Sequence, residues 1–81
     1  MPTTATIWGY YLAPTDPARE VRITRAAGAH GGRLDYREAP ETTGSHNVCL
    51  TYEFDTLSDA EAAAQQLRSF GEYIEGPYQY G

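Results

Sequence analysis

Twice along this chain an alternating run of apolar residues gives way to a helix-period stripe and then returns, and that rhythm leaves few folds open. The first run, "TATIWGYYL" from Thr4 to Leu12, is rich in β-formers and closes on Ala13-Pro14, so it reads as a strand. Ile7, Gly9 and Tyr11 face one way, and Trp8, Tyr10 and Leu12 the other. Both faces carry large apolar groups, which suits a central strand covered on each side.

The next segment, "PTDPAREVRITRAAGAHGG", opens with Asp16 as an N-cap acceptor and Pro17 at the first helical position. Glu20 suits the positive end of the helix dipole, and Gly31-Gly32 supplies a stop. Ala18, Val21, Arg25 and Gly28 form a weak stripe, with Ile23, Ala26 and Ala27 beside it. A strand over "EVRIT" is the rival, because Val21 and Ile23 alternate with arginines, but start and stop signals agree on a helix.

"RLDYREA" then alternates, with Leu34 and Tyr36 expected inward and Arg33, Asp35 and Arg37 outward. "PETTGSHN" is turn chemistry, and "VCLTYEF" follows with Val48, Leu50, Tyr52 and Phe54 on one face and Cys49, Thr51 and Glu53 on the other. Together these two runs make a hairpin whose loop is longer than it needs, with a mobile tip expected. In "TLSDAEAAAQQLRSFG", Ser58 and Glu61 have capping-box spacing, with Leu57 placed to staple onto Ala62. Ala60, Ala63, Ala64 and Leu67 form the apolar stripe, and Gly71 ends the helix. That small-residue stripe lets a helix lie close against a sheet. Tyr73 to Glu75 completes the set as a strand, and Pro77, which cannot donate to a ladder, belongs at an edge or a bulge.

The order is strand, helix, strand, strand, helix, strand. It resembles the split βαβ arrangement of the ferredoxin-like plait, an α+β fold with two helices on one face of a four-stranded antiparallel sheet in the order 4-1-3-2. Residues 1–81 make a single α+β domain, and the two most apolar strands, the first and third, fall at its centre.

At 81 residues such a domain buries roughly 60% of its unfolded surface, so its core is marginal without help. Cys49 is the single cysteine, which rules out an intrachain disulfide, so a homodimer is the natural expectation. Six arginines, no lysine and eleven carboxylates leave a net charge of −5. This balance repels phosphate backbones and argues against nucleic acid as a partner. "MPTTATIWGYYLAP" has no basic n-region and no long apolar run, so it does not read as a signal peptide. No segment approaches about 18 apolar residues, so no membrane span is expected. A cytoplasmic protein with a reduced thiol fits these observations.

The helix-free side of such a sheet would show Cys49, Thr51 and Glu53 with Arg33, Asp35 and Arg37 beside them, joined by either Trp8 and Tyr10 or Ile7 and Tyr11. A surface half charged and half aromatic is one that a partner or small ligand uses; its charges can equally pair with each other and keep the face wet. Trp8, Tyr10 and Tyr52 invite comparison with plaits that stack RNA bases, but Glu53 and the net charge oppose it, and a core role is preferred for them. His30, His46 and Cys49 lack metal-ligand spacing, so no metal or other cofactor is expected. "GAHGG" follows a helix instead of opening one, which makes it a stop and not a phosphate cradle. Tyr78 and Tyr80 either cap the rim of the core or cross to a second subunit, the latter being preferred because the core is small.

The expectation is a non-catalytic binding or regulatory module, a homodimer acting through its open sheet face and tyrosine-rich C-terminus. Its candidate partner-binding residues are Trp8, Tyr10, Arg33, Arg37, Cys49, Glu53, Tyr78 and Tyr80. The alternatives resemble this chain in topology alone: a regulatory domain holding a small molecule between two subunits, or a dimeric α/β-barrel enzyme.

Overall fold

In the computed structural model, which describes residues 4–40 and 46–80 with Tyr80 through its backbone only, six elements follow the expected order. They are β1 (Thr4–Leu12), α1 (Pro17–Ala29), β2 (Arg33–Glu38), β3 (Asn47–Phe54), α2 (Leu57–Ser69) and β4 (Tyr73–Tyr80). All neighbouring strands run antiparallel, in the spatial order β2-β3-β1-β4. Read from the other edge this is 4-1-3-2, so the chain forms the α+β plait its periodicity implies. Residues 41–45, where a mobile hairpin tip was expected, lie outside the described residues.

One face of the sheet carries the core. Ala5, Ile7 and Tyr11 of β1 and Val48, Leu50, Tyr52 and Phe54 of β3 are buried against Ile23, Ala26 and Ala27 of α1 and Ala60, Ala63, Ala64 and Leu67 of α2. The alanines let the helix backbone approach the sheet, while the bulk comes from the strands. Residues 20–26 are helical, and the buried stripe is Ile23, Ala26 and Ala27. Val21, by contrast, is half exposed on the outer side with Ala18, Arg25 and Gly28.

Both helices end in the same way. Gly31 and Gly71 take positive φ of 81° and 88°, and the residue after each returns a backbone N–H to the last turn: Gly32 to Ala27 O at 2.9 Å and Glu72 to Leu67 O at 3.1 Å. This is the Schellman arrangement that glycine at C′ allows. At the N-termini, Asp16 caps α1 as expected, its Oδ1 accepting from Arg19 N–H at 3.1 Å. The cap of α2, however, is Thr56 and not Ser58. Thr56 is extended, and its hydroxyl accepts from Asp59 N–H at 3.1 Å, which draws Leu57 and Ser58 into the first turn. Two Ser/Thr residues compete at this entry, and the one that keeps Leu57 against the core prevails.

Candidate functional site

The face without helices is assembled from three strand registers. Tyr10 lies between Cys49 of β3 and Tyr73 of β4, and Cys49 in turn pairs Glu38 of β2. The next row reads Tyr36, Thr51, Trp8 and Glu75, and the third reads Arg33, Glu53, Thr6 and Tyr78. Two ring contacts knit β1 to β4 across these rows: Trp8 to Tyr78 with centroids 5.1 Å apart, and Tyr10 to Tyr73 at 6.0 Å. Both are tilted, which suits the quadrupoles of the rings.

Of the candidate residues, Trp8, Tyr10, Arg33, Cys49, Glu53 and Tyr78 therefore share one surface. The choice left open for β1 resolves with Trp8 and Tyr10 outward and Ile7 and Tyr11 under the helices. Tyr52 is core, its hydroxyl 2.7 Å from Thr24 Oγ1, whereas the preferred core role fails for Trp8 and Tyr10, which stay half-buried on the open side.

Arg37 does not belong to this surface. The β2–β3 register slips between Leu34 and Tyr36, and a bulge of one residue exchanges the faces that follow it. Tyr36 and Glu38 thereby come to the open side, while Arg37 turns to the helices and grips both oxygens of Glu20 at 2.7 and 3.0 Å. Alternation along "RLDYREA" carries no sign of the slip, so Tyr36 was expected inward.

Arg37 joins a second network on the helix side. Glu20 also accepts from the Tyr11 hydroxyl, and that oxygen accepts from Asp16 N–H at 2.9 Å. Arg19 lies over the Tyr11 ring at 5.0 Å and holds Glu72 with Nε and Nη2 at 2.9 to 3.1 Å. Hydrogen bonds from Arg37, outweighing burial and helped by Tyr11, hold the Glu20 carboxyl below its ordinary value. The network ties α1 to β1, β2 and the turn before β4, and it is structural.

The C-terminal segment is a full strand of the sheet. β4 continues through Tyr80, whose backbone pairs with Thr4, and Tyr78 pairs with Thr6 while its ring rests on Trp8 of the same chain. The segment completes the sheet of its own chain along β1. Pro77 sits on an edge strand beside a register shift opposite Thr6 and Trp8, so edge and bulge occur together. Gly76 makes the bend, with φ of 104° and a site where a Cβ would fall 2.9 Å from Thr6 O. Arg68 of α2 donates to the carbonyls of Ile74 and Gly76, both at 3.0 Å, occupying two acceptors of that edge strand.

The electrostatics of the open face are lopsided. Arg33 is its single cation among the described residues, and it is held by Glu53 at 2.9 Å and Asp55 at 3.2 Å. Glu38 and Glu75 have no arginine partner among the described residues. They flank the Tyr10–Cys49 pair, and the potential there is negative. Burial first, then Cys49, Glu75 and Glu38, push the Tyr10 hydroxyl up to about 12. Burial likewise raises the Cys49 thiol, which keeps it protonated and a poor nucleophile.

At the Leu12 end of this face lies a cavity of about 550 Å³ lined by Tyr10, Tyr11, Leu12, Asn47, Tyr73 and Glu75. Leu12, Asn47, Tyr73 and Glu75 were not among the candidates. Their signal was present in "EYIEG", where Tyr73 and Glu75 alternate with Ile74, which is buried. His30 is tied to Gln66 across the helices, Nε2 to Oε1 at 2.8 Å, far from this surface. Among the described residues no helix is long and apolar enough to cross a membrane. No family model, curated protein or solved structure matches the chain.

Proposed function

We propose that this protein is a small non-catalytic binding module that works as a homodimer, with the helix-free sheet face and the Tyr78 end of β4 as its contact surface. One observation carries the reading: Trp8, Tyr10, Tyr36, Tyr73 and Tyr78 gather on the face opposite α1 and α2, which neither helix covers. Tyr36, Tyr73 and Tyr78 are 55, 62 and 42% exposed. Rings of this size lose little rotamer entropy on docking and dominate interface energetics, so leaving several in water is costly unless a partner covers them. The lone thiol of Cys49 fits a cytoplasmic setting, where it stays reduced.

The cavity between Tyr10, Tyr73 and Glu75 favours one variant of this reading, in which two subunits enclose a small molecule. In that variant the second copy covers the open side of the cavity.

The test is the molar mass in solution, by light scattering behind a sizing column at low micromolar concentration. A dimer is expected, and Tyr73→Glu and Tyr36→Glu should shift it toward monomer by placing further charge in the interface. A monomer at every concentration, or a dimer indifferent to both changes, would overturn the assignment.

A further inference from the structure

We propose that the cavity at the Leu12 end of the open face binds a small organic cation, a quaternary ammonium or a protonated amine, seated on the Tyr10 and Tyr73 rings with Glu75 as counter-ion. This rests on the open face being the working surface, and adds the chemistry of what it takes.

Three observations converge. The rings of Tyr10 and Tyr73 stand 6.0 Å apart at an interplanar angle of 59°, and both residues line the same cavity. Negative ring faces attract a cation, most strongly where water is thinned out, and paired rings do so better than one. Glu75 lines the same cavity, with Glu38 beyond Cys49 in the neighbouring strands. The third observation is the missing opposite charge: Arg33 is already held by two carboxylates, and Arg37, which could have neutralised this face, is turned to Glu20 by the β2 bulge.

Other ligand classes fit less well. An anion would meet Glu75 and Glu38 with no cation to receive it. A neutral apolar molecule would strip water from Glu75 without compensation. A divalent metal prefers several oxygens at close range, whereas this wall is largely aromatic and aliphatic. The proposal also bears on assembly, since a second copy laid on this face brings Glu75 and Glu38 near like charges, and a bound cation relieves that repulsion.

Choline and its neutral isostere 3,3-dimethylbutan-1-ol, which share shape and differ in charge, test the proposal on the full chain. Trp8, the single tryptophan, reports through its emission because it pairs with Glu75 across the ladder; calorimetry serves as the independent readout. Choline is expected to bind saturably, and the alcohol about tenfold more weakly or worse. Glu75→Gln, which keeps the side chain's shape, should weaken choline by about tenfold and leave the alcohol unchanged. A thermal melt of that variant confirms that it is folded. Equal binding of choline and alcohol, no binding of choline, or choline binding unaffected by Glu75→Gln overturns the cation assignment. The molar mass separates the two ideas: a dimer without choline binding leaves the open-face module standing and removes only its cationic ligand.

Discussion

Arg19 and Glu72 form one ion pair, yet replacing the arginine is expected to cost more stability than replacing the carboxylate. The Arg19 side chain is 32% exposed and that of Glu72 only 5%, so the two ends are stranded differently when the pair is broken. Arg19→Met keeps the aliphatic stem over Tyr11 but leaves a carboxylate buried without its counter-ion; a loss of about 3 kcal/mol follows, at the low end for a broken buried pair. Glu72→Gln leaves a guanidinium that can turn to water while the amide still accepts a hydrogen bond, so about 1–1.5 kcal/mol is lost. The double variant buries no charge. It should fall near the Glu72→Gln value and be more stable than Arg19→Met alone. Urea unfolding reads these differences as midpoint shifts at unchanged slope, and thermal midpoints should drop by about 4–8 °C per kcal/mol in a chain of this size. Costs that simply add, or a Glu72→Gln change as severe as Arg19→Met, would refute the argument from exposure.

Thr56→Ala should cost about 1 kcal/mol by removing the α2 cap, with Ser58→Ala nearly neutral; chemical denaturation that ranks them the other way would restore Ser58 as the cap. Because Arg37 holds Glu20 below its ordinary value of 4.5, this pair stabilises the fold fully above that pH and less as pH falls through the lower folded value. The stability gap between the wild type and Arg37→Met should therefore be constant near neutrality and close in acid; a gap unchanged by acid would show that Glu20 is not held low by Arg37. Cys49, buried and with its thiol raised, should react with iodoacetamide at least about tenfold more slowly in the folded protein than in urea, and equal rates would contradict its placement.

The element order was readable because independent local signals agreed at each boundary. Asp16-Pro17 started α1 and Gly31-Gly32 stopped it, so the β-like alternation of Val21 and Ile23 was outvoted. The face of α1 was harder to read, since "AREVRITRAAGA" offers two weak stripes and only burial of Ile23, Ala26 and Ala27 in the common core distinguishes them. Phe54 is instructive: its ring occupies the place where a Cβ at Gly32 would fall, 2.4–2.5 Å away, a close approach that no local pattern announces. The exchange of Tyr36 and Arg37 has a similar origin. A bulge inserts one residue in one strand, and the cost of inserting it depends on the partner strand, which the six residues of β2 do not contain. The two-sided hydrophobicity of β1 foretold a covered outer face. It could not say that much of the cover is supplied by Tyr73 and Tyr78 of its own chain.

The arginines explain why the two faces of one sheet differ so sharply in charge. Arg19 and Arg37 sit in forks on Glu72 and Glu20, Arg33 bridges Glu53 and Asp55, and Arg68 is fixed to two carbonyls. Arg22 and Arg25 are exposed on α1, on the helix side. An arginine fork is planar and pre-organised, and once bidentate it does not swing to a second site as a lysine can. With no lysine in the chain, there is no mobile cation to wander onto the open face and satisfy Glu38 or Glu75. The same bulge that delivers Arg37 to Glu20 delivers Tyr36 and Glu38 to the aromatic surface. One backbone irregularity thus completes the structural network on one side and leaves the other aromatic and acidic, with Glu38 and Glu75 unmatched by an arginine among the described residues, which is the condition under which a cation from outside is the complement the face lacks.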